Sequence, residues 1–203
     1  MKPNRCSPKL LLAVLCLAVL LPGPAKAEIM DTTASLAPGH VSLGFEIQAG
    51  VRDPVPLELN FGQAIGLARG FDLYLRESIG AVNGRGVRFG AGIKWNLLHA
   101  SRVHNRPGIA LWLGGHGGTG SYDGGGADAT LAIDYPFARV RPYLGLDANL
   151  EFGGSSSPRS VLGLIAGAQL SVVSHVSWFV EGGFGLLGAT RPHFVSTGPR
   201  IYF

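Results

Sequence analysis

The chain has 203 residues, enough for one domain with a sizeable core, and carries 17 basic and 13 acidic residues for a formal net charge of +4. Four of the basic residues lie within the first 27 positions, so the rest of the chain is neutral and lacks the basic excess expected of a nucleic-acid-binding protein. Cys6 and Cys16 lie in the same stretch, which excludes cysteine nucleophiles and zinc–thiolate sites from the remainder.

The first predicted element is an export signal over residues 1–27. A positively charged start precedes the uncharged apolar run Leu10–Leu21, and the small residues Ala25 and Ala27 follow it. This order is typical of a secretory signal peptide, with cleavage expected after Ala27. The apolar run is shorter than the roughly 20 residues of a spanning helix, so a retained anchor is the less favoured alternative. Residues 28–39 are then expected to form a short periplasmic N-terminal segment.

Alternation of apolar and polar residues with period two characterises residues 40–203. From Val87 to Leu97 every odd position is apolar and every even position is polar or glycine. Such alternation predicts strands with one apolar face, and turn-forming residues separate them. We predict ten strands, at 40–51, 57–67, 71–79, 86–98, 108–116, 127–135, 140–152, 161–173, 175–187 and 193–203.

The alternation fits a soluble barrel or sandwich whose apolar face points inward, or a membrane barrel whose apolar face meets lipid. The membrane barrel is favoured by strand length, by a glycine-rich polar face, and by the lack of lysines after residue 27 other than Lys94. Because lipid cannot satisfy a free strand edge, we predict an all-β fold. It is a closed antiparallel up-and-down transmembrane β-barrel of about ten strands, with eight or twelve as alternatives. Connections after odd-numbered strands, including 117–126 and 153–160, would then lie outside the cell.

Charges of both signs fall on the face that would line the lumen. We predict that they pair across neighbouring strands as a lumen charge network: Glu46, Glu58, Arg76, Arg88, Lys94, Asp134, Arg141, Asp147, Glu181 and Arg200. Glu77 is an exception on the apolar face, so we expect it beyond the lipid or at a β-bulge. Aromatic residues on the apolar face near strand ends are typical of an interfacial girdle: Trp95, Tyr135, Phe152, Trp178 and Phe203.

One group of residues is a weak candidate for catalysis. His116, Ser121, Tyr122, Asp123 and Asp128 surround the predicted loop 117–126, but a triad is defined by geometry rather than by closeness in sequence. No serine lies in a G-x-S-x-G elbow, and the histidines lack metal-binding spacing. We therefore predict a non-enzymatic protein without a catalytic residue, metal or other cofactor. A surface hydrolase acting on lipid A or phospholipid, and an adhesin-like scaffold, remain alternatives.

The last eight residues, STGPRIYF, place a polar residue, a glycine, an aliphatic and a final aromatic at Ser196, Gly198, Ile201 and Phe203. With the export signal and the alternating strands, this ending resembles the small outer-membrane β-barrel proteins of Gram-negative bacteria and their C-terminal assembly signal. The resemblance implies an outer-membrane location, contact with its lipids and lipopolysaccharide, and insertion by the barrel-assembly machinery. For such a barrel we predict a structural role, and a small-solute pore or binding role and the oligomeric state stay open.

The final strand is predicted to close the barrel by pairing with strand 40–51. Alternate residues from Phe194 to Tyr202 would face the lumen, and those between them would face lipid. Arg200 would then lie inside, near Glu46 or Glu181.

Overall fold

A computed structural model describes residues 32–51, 57–82, 86–120, 124–152, 159–187 and 193–203. Strands make up most of these residues: β1 (Val41–Gly50), β2 (Leu57–Ala68), β3 (Phe71–Val82), β4 (Gly86–Leu98), β5 (Gly108–Gly120), β6 (Gly124–Asp134), β7 (Val140–Phe152), β8 (Arg159–Val173), β9 (Val176–Leu187) and β10 (Phe194–Tyr202). Each strand pairs antiparallel with its neighbours in sequence, and β1 pairs with β10, so the sheet closes. The predicted ten-stranded up-and-down barrel is confirmed.

The two ends of the barrel differ in what the structure describes. At the near end, where β1 begins, the connections 69–70, 99–107, 135–139 and 174–175 are all described. Gly70 adopts a φ of 85° in the two-residue turn between β2 and β3, a conformation that suits glycine. At the far end, every connection contains residues that lie outside the described ones: 52–56, 83–85, 121–123, 153–158 and 188–192. The described residues contain no helix that is long and apolar enough to cross a membrane.

The exterior of the barrel is apolar and its interior is polar. Leu131, Leu144 and Leu146 point outward and are 48%, 46% and 44% exposed, whereas Asp72 and Asp147 point inward and are fully buried. A soluble barrel would bury its apolar face instead. An apolar exterior around a polar interior is the arrangement of a transmembrane barrel, as the sequence predicts.

The closing strand has the predicted orientation. Ser196 and Arg200 face inward and are buried, while Val195 and Ile201 face outward and are exposed. β10 runs beside β1 from Ser42 opposite Tyr202 to Gly50 opposite Phe194. A Cβ atom at Gly198 would overlap the carbonyl oxygen of Phe45, so the glycine allows the two strands to approach closely enough to close the sheet.

The predicted bounds of two far-end loops are wrong. Residues 117–120 and 124–126 belong to β5 and β6 rather than to a loop, and only 121–123 lies between the strands, outside the described residues. Glycine there is not a turn signal, because Gly117 pairs with Gly125 and the ring of Phe89 lies over Gly117. The predicted loop 153–160 also ends earlier, since β8 begins at Arg159.

Glu77 lies in regular pairing rather than at a bulge. It pairs with Phe61 on β2 and with Phe89 on β4. The irregularities between β2 and β3 occur elsewhere, at Leu57/Glu58 and at Gly66/Ala68. Glu77 keeps the outward orientation of its face, but its side chain is buried between its two aromatic cross-strand neighbours.

Candidate functional site: the barrel interior

The near end of the lumen is occupied by residues 32–40, which we call the N-terminal segment. Lys94 on β4 and Asp72 on β3 form a buried ion pair, with Nζ 2.9 Å from Oδ2. Lys94 Nζ also donates to the carbonyl oxygen of Ala34 at 2.6 Å, and the backbone N–H of Leu36 donates to Asp72 Oδ1 at 3.0 Å. The pair therefore binds both a donor and an acceptor of the segment's main chain.

A second group of polar side chains binds the start of the N-terminal segment. The N–H of Thr33 donates to Asp134 Oδ2 at 2.9 Å, and Asn96 Nδ2 donates to the carbonyl oxygen of Thr33. Arg141 Nη1 donates to the Thr32 hydroxyl at 3.1 Å, and Arg141 Nε lies 3.7 Å from Asp134 Oδ2. Thr32 and Thr33 are consequently buried, so these described residues lie within the mouth of the barrel.

Glycines in the wall make room for the segment. A Cβ at Gly66 would overlap the carbonyl oxygen of Ala37, and a Cβ at Gly108 would overlap the hydroxyl oxygen of Thr33. Gly66 also exchanges main-chain hydrogen bonds with the segment, accepting from Gly39 at 2.8 Å and donating to His40 at 3.0 Å. Glycine in the wall therefore accommodates the backbone of the segment at Gly66 and the side chain of Thr33 at Gly108.

An apolar layer crosses the lumen beyond the N-terminal segment. Its buried members are Ala110, Trp112, Ala132, Tyr143, Ile165 and Phe179, with Tyr74 packed against them. Tyr143 and Phe179 are in tilted ring contact at 6.4 Å between centroids, and the Tyr143 hydroxyl donates to Glu181 at 2.7 Å. Lys94 Nζ lies 5.7 Å from the centroid of the Trp112 ring, which joins this aromatic layer to the ion pair below it.

The sequence interpretation missed this aromatic layer. It treated the inward face as polar, yet Trp112, Tyr143 and Phe179 occupy inward positions of β5, β7 and β9. A signal was present in the alternation, because Tyr143 stands among the polar positions of its strand. The cavity beside Lys94, Trp112 and Arg200 has a volume of about 10 Å³, which is roughly the space of one water molecule.

Polar side chains also fill the lumen toward the far end. His116 Nδ1 lies 2.8 Å from Asp128 Oδ2, and a Cβ at Gly126 would overlap the imidazole ring. Asp147 accepts from Thr130 at 2.8 Å and from Asn149 at 2.7 Å. Of the other residues in the candidate catalytic group, Ser121, Tyr122 and Asp123 lie outside the described residues.

The structure places the residues of the predicted charge network as follows. Buried in the interior are Glu46, Glu58, Lys94, Asp134, Asp147, Glu181 and Arg200. Partly buried are Arg76, Arg88 and Arg141; the guanidinium of Arg76 lies 5.2 Å from the centroid of the Tyr74 ring. Arg200 Nε donates to Ser42 at 3.1 Å. Several of the charges therefore bind neutral partners or the N-terminal segment, which simple pairing between strands does not anticipate.

The aromatic residues predicted as a girdle lie at the ends of the outer face. Trp95, Phe152, Trp178 and Phe203 are 45%, 50%, 41% and 57% exposed. Trp95 stacks with Phe71 at 5.7 Å between ring centroids. Trp178 Nε1 donates to Thr197 at 2.7 Å, so its polar atom is satisfied while its ring remains available to lipid.

No protein-family model matches the chain, and no curated protein matches it. Solved structures resemble it at the level of the fold. A de novo designed transmembrane β-barrel is 13% identical, with 84% of this chain and 100% of that chain covered and a TM-score of 0.42. Neisserial surface protein A is 13% identical, with 81% of this chain and 96% of that chain covered and a TM-score of 0.37. The N-terminal β-barrel domain of Pseudomonas aeruginosa OprF is 8% identical, with 83% and 100% covered and a TM-score of 0.41.

Proposed function

We propose that this protein is an outer-membrane β-barrel with a closed lumen, and that its role is structural and non-enzymatic. The observation that carries the proposal is the sequence of layers across the described lumen. The N-terminal segment binds Lys94, Asp72 and Asp134, and the aromatic layer follows it. The cavity beside Lys94 and Trp112, between these layers, is about 10 Å³ in volume, which is roughly the space of one water molecule. A larger cavity of about 340 Å³ lies at the near mouth, between the N-terminal segment and Arg141, Gln169 and Tyr202.

Conductance in planar bilayers tests the closed lumen. We expect no channel activity from the folded wild-type barrel, and none after removal of residues 28–40 alone, because Trp112, Tyr143 and Phe179 still cross the lumen. Ion conductance should appear when the same deletion is combined with Trp112→Ala, Tyr143→Ala and Phe179→Ala. Steady conductance from the wild type would overturn the closed-lumen proposal, and heat-modifiable gel mobility verifies that each variant is folded.

The outer membrane is the proposed location. The predicted export signal and the resemblance of Ser196, Gly198, Ile201 and Phe203 to an assembly signal support it, as does the apolar exterior. In this proposal the exterior contacts outer-membrane lipids and lipopolysaccharide, and the barrel-assembly machinery reads the final strand. Deletion of Phe203 should lower the amount in the outer-membrane fraction without changing synthesis. Recovery of the wild type as a soluble periplasmic protein would contradict this location.

A surface hydrolase is the second candidate, because His116 and Asp128 are in hydrogen-bond contact. A catalytic general base and the carboxylate that orients it make the same contact. We favour a packing role, since the His116 ring fills the space over Gly126. Purified protein should therefore leave phospholipid and lipid A intact. Hydrolysis that disappears in His116→Ala, with the barrel still folded, would establish the enzyme instead.

A further inference from the structure

The lipid-facing surface carries one ionisable side chain among the outward positions of the described strands. That residue is Glu77, between Phe61 and Phe89 in the middle of three paired strands. The next outward residue on β3, Ile79, is 42% exposed, so apolar surface continues beyond the carboxylate. An acidic side chain in such a belt has a cost unless a partner satisfies it.

A second polar side chain lies beside Glu77 on the same face. Gln63 on β2 pairs with Leu43 and with Leu75, and it is two residues from Phe61, the cross-strand partner of Glu77. Its Oε1 atom is buried without a hydrogen-bond partner among the described residues. The amide of Gln63 also offers N–H donors, and Glu77 offers a carboxylate acceptor on the adjacent strand of the lipid-facing wall. We call these two residues the Gln63/Glu77 patch.

We propose that two copies of this chain associate in the membrane through the Gln63/Glu77 patch, with Gln63 of each copy donating to Glu77 of the other. The amide and the carboxylate are complementary. A two-fold axis normal to the membrane forms the Gln63–Glu77 hydrogen bond twice, once in each direction between the copies. Apolar side chains alone favour association in lipid only weakly, because lipid is equally apolar. Hydrogen bonds between polar groups of two chains favour it more. The inference rests on the membrane placement in the proposed function.

A second copy fits the patch better than a lipid headgroup does. Phe61 and Phe89 on either side of Glu77 are 37% and 49% exposed, so a headgroup ammonium would have to leave the interface and enter an apolar belt. A second barrel inserted in the same orientation instead brings its own amide group within the same belt. Both donors and both acceptors are then removed from hydrocarbon together.

Cysteine cross-linking in native membranes tests the association. Cys6 and Cys16, the chain's two cysteines, lie in the predicted signal, so a single introduced thiol can be followed. Leu75→Cys, beside the patch, should form a disulfide-linked dimer on mild oxidation. Leu146→Cys serves as the matched control, because it is 44% exposed and lies on β7, away from the patch. Equal cross-linking at the two positions, or none at Leu75→Cys, would overturn the proposal.

Substitution of the polar groups separates specific association from chance contact. Gln63→Leu and Glu77→Leu, introduced into Leu75→Cys, should reduce the dimer about tenfold, because they remove the hydrogen bonds that favour association in lipid. Both variants suit a lipid-facing position, and heat-modifiable mobility reports their folding. Undiminished cross-linking in folded Leu variants would refute the pairing. A folded, membrane-inserted and monomeric wild type would refute the dimer alone, whereas a soluble wild type would refute the membrane placement.

Discussion

The ammonium of Lys94 lies 2.9 Å from the carboxylate of Asp72 inside the barrel, where the two side chains are 1% and 0% exposed. The pair belongs to neighbouring strands, since Asp72 is directly opposite Lys94 in the β3–β4 register. Both groups also bind the main chain of the N-terminal segment, through Ala34 and Leu36. One ion pair therefore links two strands of the wall to the segment that fills the near mouth.

Loss of one member of this pair should destabilise the barrel strongly. Lys94→Met leaves Asp72 as a buried carboxylate without its counter-charge, which costs about 3–5 kcal/mol. The free energy of unfolding, measured by urea titration in lipid vesicles, checks this value. In the double variant Lys94→Met/Asp72→Leu both charges are gone, so much of the loss should be recovered. A double variant as unstable as the sum of both single variants would contradict the role of the ion pair.

Strand closure should depend on the lack of a side chain at Gly198. A Cβ there would overlap the carbonyl oxygen of Phe45 on β1, so Gly198→Ala should separate β1 from β10 at a cost of about 1–3 kcal/mol. The expected observation is a lower folded fraction on heat-modifiability gels. Gly182→Ala on β9 is the matched control, because its Cβ would meet nothing closer than the Phe194 carbonyl oxygen at 3.6 Å. Equal folded yields for the two variants would argue against this explanation.

A charge on the apolar exterior should be poorly tolerated. Leu146 is 44% exposed near the middle of β7, and Leu146→Arg should destabilise the barrel by about 2–4 kcal/mol in a bilayer. Val103 is 90% exposed in the near-end connection between β4 and β5, so Val103→Arg should change stability little. Unfolding titrations in lipid vesicles compare the free energies of unfolding of the two variants. A soluble barrel would tolerate the two substitutions equally, and that result would reject the lipid-facing assignment of β7.

The sequence predicted the interior less well than the wall. The alternation predicts correctly that Lys94 and Asp134 face inward, because the direction of a side chain follows from its position along the strand. It does not predict that both bind residues 32–36, since those contacts depend on how the chain before β1 turns back into the mouth. Trp112 and Phe179 were likewise not predicted to belong to one buried apolar cluster, because β5 and β9 are separated by three strands around the barrel.

The sequence by itself determined the wall of this protein: ten strands, their inward and outward faces, and the closing orientation of β10 with Ser196 inside and Ile201 outside. These features are local, because a period-two pattern fixes both strand and face. Only the tertiary structure decided what fills the lumen and what remains unsatisfied outside it. The chain before β1 turns back into the mouth and brings Ala34 to Lys94, a contact between residues that are 60 positions apart in the sequence.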